Sequence, residues 1–238
     1  MSSFCELIDI CIIKKLQFWQ CMIKYAIFDF DGTLVNSKQL LIDVYTKHIQ
    51  KPARLPILTE KALLELPDMT AKEIMKKYIA WWKLPLIVYL WAKHSYEEIP
   101  NLKAFAGIGD LIENLHLKGV KMYILSSNST KNINYFLEIN GWEKYFEHVH
   151  NASLSSKSKA LNKLLGKIAK ENEGSLESIK KEAIYVGDEA KDIHASQDCQ
   201  IPVVSVGWGF NNSKFLQSLK PDYFVESVEG LEGVLGIS

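Results

Sequence analysis

From residue 101 onward, short apolar runs alternate with segments whose apolar residues recur at helical spacing, the pattern of repeated βα units around a parallel sheet. Runs at 23–29, 120–126, 146–150, 183–187, 202–206 and 222–225 predict strands. Between them, residues 157–169 place Leu161, Leu164, Leu165 and Ile168 at i, i+3, i+4 and i+7, which buries one helix face and leaves the lysines outside. Lys118-Gly119 and Asn140-Gly141 read as helix stops, because glycine takes the positive φ that ends a helix. Lys167 to Lys181, charged and containing Gly and Ser, reads as a solvated surface connection.

Residues 38–100 break this alternation with helical patterns and prolines but no buried strand, and so predict a helical insert. Ile74, Tyr78 and Trp81 fall on one helical face, and Trp82, Tyr89, Trp91 and Phe105 extend an aromatic stretch. The plain expectation is a small core belonging to the insert. The functional alternative is a lid whose apolar face closes over a substrate.

Composition narrows the function classes. Lys plus Arg and Asp plus Glu both total 28 of 238 residues, so no net field attracts nucleic acid or an anionic membrane. Neither is expected as a partner. Cys5, Cys11, Cys21 and Cys199 form no CxxC pair or Cys/His cluster, which argues against a disulfide framework and fits a reducing cytoplasm. Residues 1–22 are apolar but interrupted, lack a basic start, and make a poor signal peptide; whether they are an added helix or precede a true start at Met22 is left open. No segment approaches the roughly 18 apolar residues of a membrane span.

Candidate chemistry sits where strands end. Asp29-Phe30-Asp31-Gly32-Thr33 follows the first apolar run and sets two carboxylates close together at its C-terminal end. Like charges held this near raise each other's proton affinity, which suits a cation or a proton-transfer task. A calcium loop fails, since Leu34 and Leu40 stand where glycine and glutamate are needed. Ile124-Leu125-Ser126-Ser127-Asn128 ends a second strand with hydroxyl and amide groups, as a helix cap or an anion site. Lys157 opens the amphipathic helix, with Lys159 as a competitor. Val186-Gly187-Asp188-Glu189-Ala190-Lys191-Asp192 ends another strand in a glycine turn with acids four apart. Carboxylates of Asp29 and Asp188 with a backbone carbonyl near Asp31 make a hard-oxygen set suited to Mg²⁺. A dinucleotide site is disfavoured, because Gly107-Ile108-Gly109 lacks a third glycine and does not follow the first strand.

In this order, DFDGT at 29–33, ILSSN at 124–128, Lys157 and VGDEAKD at 186–192 resemble the four motifs of the haloacid dehalogenase superfamily. Residues 100–129 and Val206-Gly207-Trp208-Gly209-Phe210 look most like its phosphoglycolate phosphatase-like branch. The resemblance implies an α/β Rossmann-like doubly wound parallel sheet from 23–37 and 101–238, with a small α-helical cap inserted at 38–100 and a leader at 1–22. It further implies a Mg²⁺-dependent phosphatase acting on a small phosphorylated metabolite. Asp29 would be the nucleophile and Asp31 the proton carrier. Ser127, Asn128 and Lys157 would hold the phosphoryl group, and Asp29, Asp31, Asp188 and Asp192 would serve the metal. Whether Asp192 touches the ion directly, and whether Ser126 or Ser127 is the motif residue, stay open; Ser127 is preferred because Asn128 follows it. A sugar phosphomutase and a silent phospholigand-binding protein are the alternatives.

Overall fold

The structure is a computed structural model and describes residues 23–57, 80–152 and 156–237. Six parallel strands form one sheet: β1 (Tyr25–Phe28), β2 (Lys121–Ser126), β3 (Phe146–Asn151), β4 (Ala183–Gly187), β5 (Val203–Val206) and β6 (Tyr223–Val225). Their order is β3-β2-β1-β4-β5-β6. All six predicted strands are present, and the sheet is doubly wound. The chain builds outward from β1 to β3, then crosses back to pair β4 against the free side of β1. That reversal opens a crevice at the C-terminal ends of β1 and β4, the usual binding place in such sheets.

The helices are α1 (Lys38–Val44), α2 (Leu84–His94), α3 (Ile108–Leu117), α4 (Thr130–Ile139), α5 (Lys157–Glu171), α6 (Leu176–Glu182), α7 (Ala190–Cys199), α8 (Ser213–Ser218) and α9 (Val228–Leu235). Strand parity sorts the sheet's side chains between two layers. Ala26, Phe28, Met122, Ile124, Ile184 and Val186 pack against α3, α4 and α9. Tyr25, Ile27, Tyr123, Leu125 and Tyr185 pack against α5 and α7. Burial on both faces explains why these strands read as continuous apolar runs. Gly119 (φ 75°) and Gly141 (φ 67°) end α3 and α4 as expected.

The chain leaves the sheet layer and returns to it along paired segments: Asn36 N–H donates to Lys103 O (2.9 Å) and Phe105 N–H to Leu34 O (3.1 Å). Between them the described residues hold only helices and turns, around a small cluster of Val44, Ile49, Ala53, Leu55 and Leu90. Of the aromatic stretch, Trp91 packs against that cluster as expected, but the others at the start of the stretch do not. Trp81, Trp82 and Tyr89 are exposed, because the buried stripe of α2 runs through Ile87, Leu90 and Trp91 and turns its other faces outward. Ile74 and Tyr78 lie outside the described residues.

A second expectation is corrected between Lys167 and Lys181. This segment completes α5 and forms α6 rather than a surface connection. Ile179 is buried with Leu176 packed beside it, and the Ser175 hydroxyl accepts Ser178 N–H (3.1 Å) to start the helix. Dense lysines and glutamates masked this two-residue apolar stripe. No helix among the described residues is long and apolar enough to cross a membrane.

Candidate active site

Parity fixes where Asp29 points. It continues the Tyr25 and Ile27 face of β1, so its carboxylate emerges on the α5 and α7 side. Its N–H pairs with Val186 O (2.8 Å), which locks the strand end against β4. Phe30 turns the other way, and its ring meets Phe136 edge-on at 5.4 Å. The packed ring anchors the segment that carries Asp31.

On that side waits Lys157, the first residue of α5, which the Ser156 cap holds in place (Lys159 N–H to Ser156 Oγ, 3.4 Å). Its buried ammonium donates to Asp29 Oδ2 at 2.6 Å and also to Asp192 Oδ1. Lys159, the competitor, is exposed. Burial alone would depress the Lys157 ammonium. The charges of Asp192 and Asp29 outweigh it and hold the group above the ordinary lysine range. Burial likewise opposes ionisation of Asp29, but the Lys157 and Lys191 charges and the Phe30 N–H on Oδ1 (2.7 Å) keep its carboxyl below the usual value.

Asp188 follows the last residue of β4 and is fully buried. Thr33 Oγ1 donates to its Oδ1 (2.8 Å) and Phe210 N–H to its Oδ2 (2.7 Å). Burial, then the Asp29 and Asp192 charges, push its carboxyl well above the carboxylate range. Asp192 is held by Lys157 and by Glu189 N–H (3.0 Å), and burial raises it to about 6. Ligand atoms of Asp29, Asp188 and Asp192 lie within 4.8 Å of one another. Three buried carboxylates that resist sharing their negative charge, all hard oxygen donors, fit a divalent cation such as magnesium.

Asp31 stands apart from that cluster. It is partly buried, and its Oδ2 accepts Asn128 Nδ2 at 2.9 Å. Burial, then the Asp29 charge, push its carboxyl up to about 6. Asn128, expected at the phosphate, thus turns its side-chain amide to Asp31. Its backbone N–H meets the buried Ser126 Oγ (3.2 Å). Ser127 instead is exposed and lines a cavity of about 810 Å³ together with Asp31, Val88, Trp91, Tyr96 and Phe210. Of the two serines left open by the sequence, Ser127 lines the cavity and Ser126 is buried beneath it.

Sequence reasoning missed Tyr185, whose hydroxyl donates to Leu125 O (3.2 Å) and lies 3.4 Å from Asp192 Oδ1, with the Lys157 ammonium 5.5 Å from its ring. Nothing in an apolar strand marks one tyrosine as part of a charged cluster. Thr33 was within reach, since it closes the DFDGT turn.

Gly32 makes that turn possible. Its φ is 77°, and a Cβ there would overlap Asp188 Oδ2 and come within 2.6 Å of the Phe210 ring. Gly32→Ala is expected to lose about 2 kcal/mol or more through backbone strain and displacement of Asp188. Urea unfolding tests this; an unchanged midpoint would show that the turn tolerates a side chain.

A profile of haloacid dehalogenase-like hydrolases matches residues 26–206. Phosphoglycolate phosphatase of Synechococcus elongatus is 30% identical over 207 residues, spanning 86% of this chain and 93% of that protein. Pyrophosphatase PpaX of Oceanobacillus iheyensis is 24% identical over 221 residues, 91% of this chain and 98% of its own. Among solved structures, a haloacid dehalogenase-like family hydrolase from Streptococcus pneumoniae superposes with a TM-score of 0.75 at 19% identity, covering 92% of this chain and 100% of its own. The family match spans every strand of the sheet except β6 and both carboxylate-bearing turns, and with it the chain belongs to the haloacid dehalogenase-like hydrolases.

Proposed function

We propose that this chain is a magnesium-dependent phosphatase that hydrolyses a small phosphomonoester through an aspartyl-phosphate on Asp29. One observation carries the reading: Lys157 bridges Asp29 and Asp192 beside Asp188, while Asp31 faces the cavity two residues from Asp29. An anionic nucleophile cannot approach an anionic phosphate unless cations sit between them. Lys157 supplies one fixed positive charge.

In the first step an Asp29 oxygen bonds to phosphorus as the ester oxygen departs, and Asp31, in its protonated form, gives that oxygen its proton. In the second, the Asp31 carboxylate takes a proton from water as the water oxygen attacks phosphorus and frees Asp29. A carboxyl raised to about 6 serves both directions near neutral pH. Ser127 lines the cavity, where its hydroxyl can donate to a phosphoryl oxygen. Asp29, Asp188 and the backbone carbonyl of Asp31 would hold the magnesium, with Asp192 completing the acidic group and anchoring Lys157. Bound there, the ion would neutralise phosphoryl charge and help orient the ester. The segment between residues 38 and 100 acts as a cap over the cavity, to which it contributes Leu41, Val88, Trp91 and Tyr96.

The resemblance to phosphoglycolate phosphatase and pyrophosphatase relatives supports phosphate esters or anhydrides as the substrate class. A panel of phosphorylated metabolites assayed for free phosphate, with and without Mg²⁺, tests it. Turnover is expected to require the ion and to vanish with EDTA; full activity in EDTA would sink the metal assignment. Isomerised hexose phosphate without free phosphate would identify a mutase, and tight binding without turnover would identify a silent binding protein.

A further inference from the structure

The orientation of Asp31 traces to a residue outside the motifs. Ser129 N–H donates to Asn128 Oδ1 at 2.7 Å, and since a backbone N–H can only donate, that atom is the amide oxygen. Asn128 Nδ2 therefore faces Asp31, at 2.9 Å. The same oxygen receives a second bond at 3.2 Å from Asn132, whose contacting atom must be its nitrogen. Asn132 is buried at the third position of α4, where Ser129 Oγ accepts its N–H (3.1 Å). Its Nδ2 also meets Ser95 Oγ at 3.1 Å, at the C-terminal end of α2, and Ser95 is itself buried. The α2 end is seated on α4 independently, by the Tyr96 ring stacked on Tyr135 at 4.8 Å and the Lys131 ammonium 4.0 Å from the Tyr96 ring.

We propose that Asn132 is a positioning residue for the proton carrier: it holds the Asn128 amide so that its N–H end faces Asp31, and ties that orientation through Ser95 to the seating of α2. The inference rests on the phosphatase reading above. Two donors on Asn128 Oδ1 leave the amide one stable orientation, and the Asp31 carboxylate then has a fixed partner on one oxygen. Because Ser95 belongs to the segment over the cavity, displacement of α2 loosens Asn132 and with it the alignment of Asp31. The proton carrier is thus aligned only when α2 is seated.

The test uses leaving groups that differ in their need for a proton. A p-nitrophenolate departs without one, whereas an alkoxide does not, and kcat/KM reports only steps up to release of the alcohol. Asn132→Asp puts an acceptor against Asn128 Oδ1 and draws the amide nitrogen away from Asp31. It is expected to lower kcat/KM for an alkyl phosphate on the order of 10–100-fold while changing p-nitrophenyl phosphate little. Asp31→Asn should show the same bias, larger. Ser95→Ala should show it at reduced size, and absence of bias there would remove α2 from the chain of contacts. Equal losses on both substrates in Asn132→Asp would assign Asn132 a merely structural role and overturn the proposal. Asn132→Ala carries the same expectation and decides the matter if the aspartate variant does not fold. If Asp31→Asn itself lacks the bias, the proton-carrier assignment fails and this inference with it; if only the Asn132 variants lack it, the inference fails alone.

Discussion

Asp29→Asn is expected to lower phosphate release by about four orders of magnitude or more. The amide keeps the shape of the carboxylate, so the backbone bond to Val186 O and the packing of Phe30 on Phe136 should survive. What it lacks is the negative oxygen that attacks phosphorus. Lys157 keeps Asp192 as its buried partner, so the variant should fold and unfold cooperatively. Acid-quenched protein from ³²P-labelled substrate should carry label when the wild-type enzyme is used and none in the variant. Loss of a metal ligand alone would be partly reversed by raising Mg²⁺, whereas loss of the nucleophile would not. Retained turnover, or label on the variant, would place the covalent step on another residue.

The same contacts explain how much the sequence reveals. Strands buried on both faces must be apolar throughout, so β1, β2, β4 and β5 stand out, while the edge strands β3 and β6 are only partly buried and show shorter apolar runs; helices against the sheet show their stripe wherever that stripe is long enough. α5 has a long stripe and is legible; α6 has Leu176 and Ile179 inside a lysine-rich stretch and is not. The tryptophans before α2 mislead for the opposite reason. Hydrophobic residues are not obliged to be inside, and Trp81 and Trp82 sit on a short turn that faces outward.

At the site, residue type and order lead to Asp29, Asp31 and Asp188, since acids at strand ends have few reasons to be there. They do not distinguish Lys157 from Lys159. What distinguishes them is helix phase: the first position of α5 looks back at the sheet edge, and the third looks at solvent. Asn132 carries no local signal at all, because its contacts with Ser95 and Asn128 join segments that only the fold brings together. Asn128 lines the cavity beside Ser127, and what its place in the sequence does not reveal is that the Ser129 N–H and Asn132 hold its side-chain amide against Asp31.

Lys157→Met is expected to destabilise the metal-free protein by about 3–5 kcal/mol at neutral pH, the usual cost of removing one partner from a buried ion pair. Turnover should fall with it. Methionine fills much of the same volume, so the loss should come from charge: Asp29 and Asp192 would face Asp188 with no ammonium bonded to them. This gives the deficit a pH signature. In the wild type the Asp29 carboxyl is lowered on folding, so its contribution is present above the unfolded value and lost as pH falls. Without Lys157, that carboxyl joins Asp188 and Asp192 in being raised on folding. A raised carboxyl binds its proton more tightly in the folded state, so acidification stabilises the variant relative to its unfolded chain. The gap between wild type and variant should therefore narrow from pH 7.5 towards pH 5, as measured by urea unfolding in EDTA. Added Mg²⁺ at pH 7.5 should narrow it as well, by returning positive charge to the three carboxylates. A gap that stays constant across pH and metal would mean that Lys157 acts through packing alone, and the electrostatic account of the site would fail.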